Sequence, residues 1–161
     1  MAVEWGVSAA AHDAALTIID GTEILFASHA ERYSGIKNDK HLNADLIHVA
    51  LEFGKPEKIH WYEKPKLRGM RRLLSGQGIV RFSVRQYLKE FGLEVPVEFA
   101  SHHESHTAAG FYTSTFDSAT ALVIDAIGEF DTASIWLCDG EKMKKKWNMD
   151  YPKSLGLFYS A

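Results

Sequence analysis

Hydrophobic residues along this chain fall into short runs broken by turn residues, and the period of each run predicts its element. Trp5 to Val7 predicts a strand. After the small-residue loop Ser8 to Ala11 come His12 and Asp13, then the run Leu16-Thr17-Ile18-Ile19. That run ends in Asp20-Gly21, where both central turn positions tolerate positive φ, so a hairpin is expected with Glu23 to Ser28 as its return strand. Leu46, Ile47, Ala50 and Leu51 recur at helical spacing between Asn43 and Phe53, and Gly54 supplies a C-terminal stop. Lys58 to Tyr62 predicts a strand. Ile79 to Phe91 predicts a second helix, with Val80, Val84, Tyr87, Leu88 and Phe91 on one face and Gly92 at its end. Val95 to Phe99 predicts a strand, and Glu104 to Tyr112 a third helix.

The pattern then restarts. Thr120 to Asp125 and Thr132 to Cys138 predict strands, and Asp139-Gly140 a second hairpin leading into Lys142 to Met149. The segment Ser134-Ile135-Trp136-Leu137-Cys138-Asp139-Gly140 parallels Ala15-Leu16-Thr17-Ile18-Ile19-Asp20-Gly21. Each is an apolar strand running into Asp-Gly, and each follows an aspartate near the preceding turn (Asp131, Asp13). A duplicated α/β architecture is expected, with residues 1–118 as a first half and 119–161 as the start of a second. Tyr151 to Ala161 predicts a loop entering a helix whose Leu, Phe and Tyr residues leave apolar surface. The expectation is an amino-terminal piece of a larger protein; the alternative is a complete small domain with a short terminal helix.

Composition narrows the class only modestly. The 161 residues are 46% hydrophobic and 24% charged, as in ordinary soluble domains, and suffice for a core that buries most of the chain's surface. A formal charge of −3 shows no basic excess, so no nucleic-acid partner is expected. The single cysteine, Cys138, excludes an internal disulfide framework and sits in an apolar strand pattern expected to bury it. No run approaches the length of a membrane span and Met1 to Gly6 lacks an export signal, so a cytoplasmic protein with no membrane partner is expected.

The chemistry concentrates in Ser101-His102-His103-Glu104-Ser105-His106. Residues four apart on a helix share a face, so His102 and His106 can aim at one point while His103 points elsewhere. The apolar strand Ala121-Leu122-Val123-Ile124 ends in Asp125. A carboxylate at a strand end and two imidazoles on the preceding helix make a three-ligand metal site with open positions. Eight histidines in a chain of this length also yield such pairs by chance, and the alternative is a solvated or core-satisfied pair.

Five stretches carry a family resemblance when taken together and in order. They are His12-Asp13-Ala14-Ala15, Glu31-Arg32-Tyr33-Ser34-Gly35-Ile36-Lys37, His102-His103-Glu104-Ser105-His106, Asp125-Ala126-Ile127-Gly128-Glu129, and Tyr151-Pro152-Lys153-Ser154-Leu155-Gly156-Leu157-Phe158-Tyr159. With them the chain resembles the amino-terminal part of the O-carbamoyltransferases of the nodulation-factor and antibiotic-tailoring type, which are related in this domain to the tRNA threonylcarbamoyladenosine transferase. That group usually shows Glu-Glu-Arg-Phe where Ala30-Glu31-Arg32-Tyr33 stands, often His at Asn38, and more often Gly at Ala126. The resemblance implies a further metal-binding aspartate and a carbamoyl-adenylate-forming domain, both expected beyond these 161 residues.

The resemblance implies an actin-like, ribonuclease-H-like mixed sheet with helices, comprising the first half and the opening strands of the second. It implies transfer of a carbamoyl group from carbamoyl-adenylate, made from carbamoyl phosphate and ATP, to a hydroxyl of a small molecule or sugar. His102, His106 and Asp125 would hold a divalent ion, iron foremost, with zinc or manganese equally compatible with the donor set. His12 would be the general base on the acceptor hydroxyl, the alternative being a histidine that satisfies its turn. Backbone N–H groups of Ala126, Ile127, Gly128 and Glu129 would face phosphate, against the alternative of a plain strand turn. Arg32 and Lys37 are candidates to orient an anionic ligand, and Lys144-Lys145-Lys146 reads as an exposed face. The implied partners are a hydroxyl acceptor and the remaining carboxy-terminal domains of the same enzyme. The remaining alternatives are a non-catalytic metal- or phosphate-binding fragment and a tRNA-modifying relative. The stretch Glu31 to Lys37 favours the small-molecule branch, and the fragment expected here would be inactive alone.

Overall fold

The computed structural model describes residues 3–11, 13–78 and 81–160. In chain order the elements are β1 (Val3–Ser8), β2 (Ala15–Asp20), β3 (Glu23–His29), α1 (Glu31–Ser34), α2 (Ala44–Glu52), β4 (Pro56–Trp61), α3 (Pro65–Leu74), α4 (Val84–Lys89), β5 (Val97–Phe99), α5 (His102–Tyr112), β6 (Ser118–Ile124), β7 (Asp131–Asp139), β8 (Lys142–Asp150) and α6 (Leu155–Tyr159). They form two compact units, Met1–Tyr62 with Ser83–Phe99 and Glu63–Phe82 with Ala100–Ala161. Among the described residues no helix is long and apolar enough to cross a membrane.

The first unit is built on a five-stranded sheet of order β3-β2-β1-β4-β5. β2 runs antiparallel to both β1 and β3, whereas β4 runs parallel to β1 and β5 parallel to β4. That order and those directions are the ribonuclease-H-like arrangement. Alternation along β1 buries Val3, Trp5 and Val7, and β2 adds Leu16 and Ile18 to the same core. Helix α2 contributes Leu46, Ile47 and Ala50, and its N-cap Asn43 accepts a hydrogen bond from the Leu46 N–H at 2.9 Å. Tyr87 of α4 packs edge-on against Trp61 and Phe91, and its hydroxyl accepts the Leu42 N–H at 2.7 Å.

Two sequence expectations are corrected in this unit. The hairpin turn is displaced by one residue: Asp20 pairs with Glu23, so the central positions are Gly21 and Thr22, and only Gly21, at φ 59°, is left-handed. The second helix is shorter than its apolar spacing implied. It starts at Val84 because the Ser83 side chain caps it by accepting the Gln86 N–H, and residues 81–83 are not helical. Ile79 and Val80 lie outside the described residues.

The second unit holds the antiparallel sheet β6-β7-β8. Its hairpin repeats the displaced turn of the first, with Asp139 paired to Lys142 and Gly140 at φ 54°. One face carries Val123, Trp136 and Cys138, with Phe111 of α5 packed among them. Cys138 is a buried free thiol, as its strand pattern implied. Along Lys144 to Lys146 every residue is exposed, and Lys145 pairs with Asp131 at 2.8 Å.

Helix α3 was not foreseen. Its leucines and methionine face outward, with Leu67, Met70, Leu73 and Leu74 exposed, while Arg71 is buried. Arg71 donates from Nε to the Glu129 carbonyl at 3.2 Å and from a terminal guanidinium nitrogen to Gln77 Oε1 at 3.2 Å. A helix held by its arginine carries no inward apolar stripe for periodicity to detect.

Candidate metal centre

The histidine cluster opens α5, two residues earlier than apolar spacing alone indicated. Ser101 and Glu104 form a reciprocal capping box, with the Ser101 N–H donating to Glu104 Oε2 at 3.1 Å. With the helix start fixed there, His102 and His106 stand one turn apart on one face, with ring centroids 4.7 Å apart. Asp125 follows the last residue of β6, where Ile124 pairs with Ala133 and the Asp125 N–H donates to the Thr132 carbonyl at 2.9 Å.

These three side chains meet. His102 Nε2 lies 2.8 Å from Asp125 Oδ2 and 3.1 Å from His106 Nε2. One ligand atom from each residue falls within 4.8 Å of the others. Metal–nitrogen and metal–oxygen bonds of about 2.0–2.2 Å place adjacent ligand atoms roughly 3 Å apart at right angles and about 3.4 Å apart at tetrahedral angles. The two separations from His102 Nε2, 2.8 and 3.1 Å, match right-angle neighbours, and the third pair, His106 with Asp125, lies within the 4.8 Å bound of the group. A single hydrogen on His102 Nε2 would have to serve two acceptors, whereas a cation satisfies all three donor atoms at once. Two imidazoles and one carboxylate also form a recognised donor set for iron(II), and one acceptable to zinc or manganese.

The electrostatics show that His102 and Asp125 are strongly coupled. The His102 hydrogen bond draws Asp125 down to about 2 against its partial burial, helped by the charges of His102 and His106 and by the Ala126 N–H. Burial works to lower the His102 pKa, but the Asp125 hydrogen bond and charge, with Glu129 and Glu63 adding, outweigh it and leave the pKa raised. His103 is different. It is fully buried on an adjoining face of the helix, its Nδ1 lies 2.7 Å from Ser134 Oγ, and burial lowers its pKa.

The loop after Asp125 turns much of its polarity inward. The Ala126 N–H donates to its neighbour's Asp125 Oδ1 at 2.6 Å, and the Gly128 N–H to the Asp131 carbonyl at 2.8 Å. Ile127 lies between the bends at Ala126 and Gly128, and Glu129 is buried. The Glu129 carboxylate accepts the Lys64 N–H at 2.7 Å and the His102 N–H at 3.1 Å from each oxygen. His12, the expected general base, lies outside the described residues. Its neighbour Asp13, between β1 and β2, accepts a hydrogen bond at 2.8 Å from the amide of Asn38, between α1 and α2, and both residues have positive φ.

Two glycines allow this convergence. A Cβ on Gly128 would meet the Asp131 carbonyl oxygen at 3.1 Å, His103 Cδ2 at 3.2 Å and His102 Cβ at 3.3 Å. A Cβ on Gly156 would overlap the Asp125 carbonyl and stand 2.6 Å from the Ala126 nitrogen. Ser154, the N-cap of α6, donates from Oγ to the Ala126 carbonyl at 2.7 Å and so seats that helix on the strand end. Both glycines stood in the sequence motifs, but only coordinates give a glycine in a motif its steric reason.

Residues 66–161 match the family described as Carbamoyltransferase N-terminus. The chain belongs to this family. It is 29% identical to the protein sll1178 of Synechocystis sp. over 97% of its own length and 30% of that protein's. It is 27% identical to the nodulation protein NolNO of Sinorhizobium fredii, over 92% of this chain and 24% of that one. The carbamoyltransferase N-terminus chain thus spans about a quarter to a third of the length of these relatives. Among solved structures, a ROK hexokinase from Thermus thermophilus aligns over 91% of this chain and 49% of its own, with 14% identity and a TM-score of 0.46.

Proposed function

We propose that this chain is the amino-terminal part of a carbamoyltransferase whose metal is held by His102, His106 and Asp125. The carrying observation is the convergence of those three donor atoms within 4.8 Å, in a chain whose family is that of the carbamoyltransferase N-terminus. The reading extends to the reaction: a carbamoyl group passes from carbamoyl-adenylate, formed from carbamoyl phosphate and ATP, to a hydroxyl of a small molecule or sugar. A divalent ion, iron foremost, would supply positive charge opposite the phosphate of the departing AMP.

The chain's own residues have definable tasks. Asp125, ionised well below neutral pH, brings the negative charge that makes the site attractive to a cation. His102 and His106 bring neutral nitrogen donors and leave coordination positions open, because three side chains converge among the described residues. His12 is the proposed base that removes the proton from the acceptor hydroxyl as the new carbamate C–O bond forms. The hydroxyl acceptor and the remaining domains of a longer enzyme are the proposed partners, with ATP and carbamoyl phosphate as substrates.

The reading is tested by metal content and by transfer, separately. Purified 161-residue chain reconstituted with iron(II) or zinc is expected to bind close to one ion, and His102→Ala, His106→Ala and Asp125→Ala each to lose most of it. Equal metal in all four proteins refutes the centre. In a full-length relative carrying the matching aspartate, its alanine variant is expected to abolish carbamoylation of a hydroxyl acceptor. Undiminished carbamoylation refutes the catalytic assignment.

A further inference from the structure

We propose that Glu129 is a positioning residue for the metal centre, acting through the main chain of His102; this inference rests on the metal-centre reading above. Glu129 is almost wholly buried and is not one of the three converging residues. Its carboxylate accepts instead from two backbone N–H groups, both at helix starts. One belongs to His102, the first residue of α5, and the other to Lys64, the N-cap of α3. Oε1 alone reaches both, at 2.7 Å from Lys64 N and 3.1 Å from His102 N.

An anion is well suited to that place. The opening N–H groups of a helix lack acceptors within it and carry partial positive charge, so a carboxylate there is stabilised as it stabilises the helix. In α5 the capping box of Ser101 and Glu104 covers the N3 N–H and the N-cap's own N–H, which leaves the His102 N–H to Glu129. Glu129 is itself held at its backbone, where Arg71 of α3 donates to its carbonyl. Arg71 is anchored in turn by Gln77. The chain of contacts runs from α3 through Glu129 to the backbone nitrogen of a metal-ligand residue.

The consequence concerns aim. His102 projects its ring from the first position of α5, where helices fray, and a ligand atom must hold its place within about 0.2 Å for a metal to accept it. Glu129 removes that freedom by fixing the His102 nitrogen from outside the helix. It also explains an acidic residue buried beside Asp125: its charge is spent on backbone dipoles.

Position and charge separate in two variants. Glu129→Gln keeps a carbonyl oxygen where Oε1 accepts both N–H groups but removes the charge and sets an amide nitrogen where Oε2 shares the His102 N–H. Glu129→Asp keeps the charge but withdraws the oxygens by one methylene. Cobalt(II), read by its visible absorption, serves as the metal, and the full 161-residue chain is used throughout. Glu129→Asp is expected to weaken cobalt binding tenfold or more and to alter the absorption band, whereas Glu129→Gln stays within about threefold. Phe111→Leu, a core change in the same unit, is expected to lower the melting temperature yet stay within threefold.

In chelator the same variants are compared by the cross-peak between the His102 and His106 ring protons, which Glu129→Asp is expected to lose and Glu129→Gln to keep. If Glu129→Asp retains wild-type affinity and the cross-peak, or if Glu129→Gln is the impaired variant, positioning is overturned. Weakening by Phe111→Leu equal to that by Glu129→Asp overturns it as well, since general destabilisation then suffices. Should the wild type take up no cobalt, the metal reading fails by itself, and the cross-peaks in chelator still decide whether Glu129 sets the ring.

Discussion

Gly156 offers the sharpest test of how this centre is assembled, because adding one carbon there forces two backbones apart. A Cβ on Gly156 stands 2.6 Å from the Ala126 nitrogen and 2.5 Å from the Asp125 carbonyl carbon, whereas ordinary contact begins near 3.4 Å. Relief requires the α6 start and the strand end to separate by at least roughly 0.8–0.9 Å, the difference between those distances, since the Asp125 carbonyl oxygen lies closer still. Neither neighbour is a flexible side-chain tip, so the backbone must move. Overpacking of this kind costs about 1–3 kcal/mol, and each kcal/mol lowers the melting temperature of a chain this size by about 2–4 °C. The same displacement carries Asp125 several times farther than the roughly 0.2 Å that a metal ligand tolerates. Gly156→Ala is therefore expected to melt about 2–12 °C lower in chelator and to bind zinc at least tenfold more weakly than the wild type. Gly110 in α5 is the control, since nothing lies within 4 Å of its Cβ position and its φ is not left-handed. Gly110→Ala is expected to be neutral or to stabilise by up to about 1 kcal/mol. Differential scanning fluorimetry and zinc titration measure both. A Gly156→Ala protein that melts with the wild type and binds zinc equally would refute the claim that α6 seats Asp125.

The other expectations separate ligation from packing. His103→Ala is expected to keep its metal in elemental analysis while losing about 2–4 kcal/mol of stability in denaturant, because the fully buried ring leaves a cavity and strips Ser134 of a partner. Asn43→Ala removes the side chain that accepts the Leu46 N–H and donates to the Ala30 carbonyl, and should cost about 1–2 kcal/mol by thermal melting. At Glu4 the sign of the pH dependence is fixed. A hydrogen bond from His60 holds its carboxyl below the usual range against desolvation, with the charges of His60 and Lys58 assisting. A carboxylate so lowered contributes stability that is present above its unfolded pKa, near 4.5, and is lost as pH falls through the folded value. Glu4→Gln should thus be less stable than the wild type at pH 7, with the gap closing below pH 4.5; a gap constant with pH would contradict the assignment.

What could be foreseen and what could not divide along a physical line. His102, His106 and Asp125 were legible because each rests on a local rule: helix spacing brings the imidazoles together, and an apolar run ending in aspartate puts a carboxylate at a strand tip. The five-stranded sheet was legible for the same reason, since Trp5, Leu16, Ile18 and Ile59 lie on alternating or paired apolar strands. Helix α3 was hidden because its buried residue is Arg71 and its leucines are exposed, the inverse of the pattern that marks a core helix. The displaced turns show a finer limit. Asp-Gly announces a hairpin, but whether Asp20 closes the ladder or enters the turn depends on its pairing with Glu23, the facing residue at the hairpin's end, which the dipeptide does not specify. The supports of the proposed metal centre were invisible in the same sense. Glu129 acts on a backbone nitrogen twenty-seven positions earlier, and Gly156 makes room for a strand end thirty-one positions before it. Donor chemistry is written in residue types and short spacings, so it can be recognised before the fold is known. The precision that turns three donors into a binding site is held by backbone contacts across the unit, and substitutions at Glu129 or Gly156 would remove that precision while leaving every ligand in place.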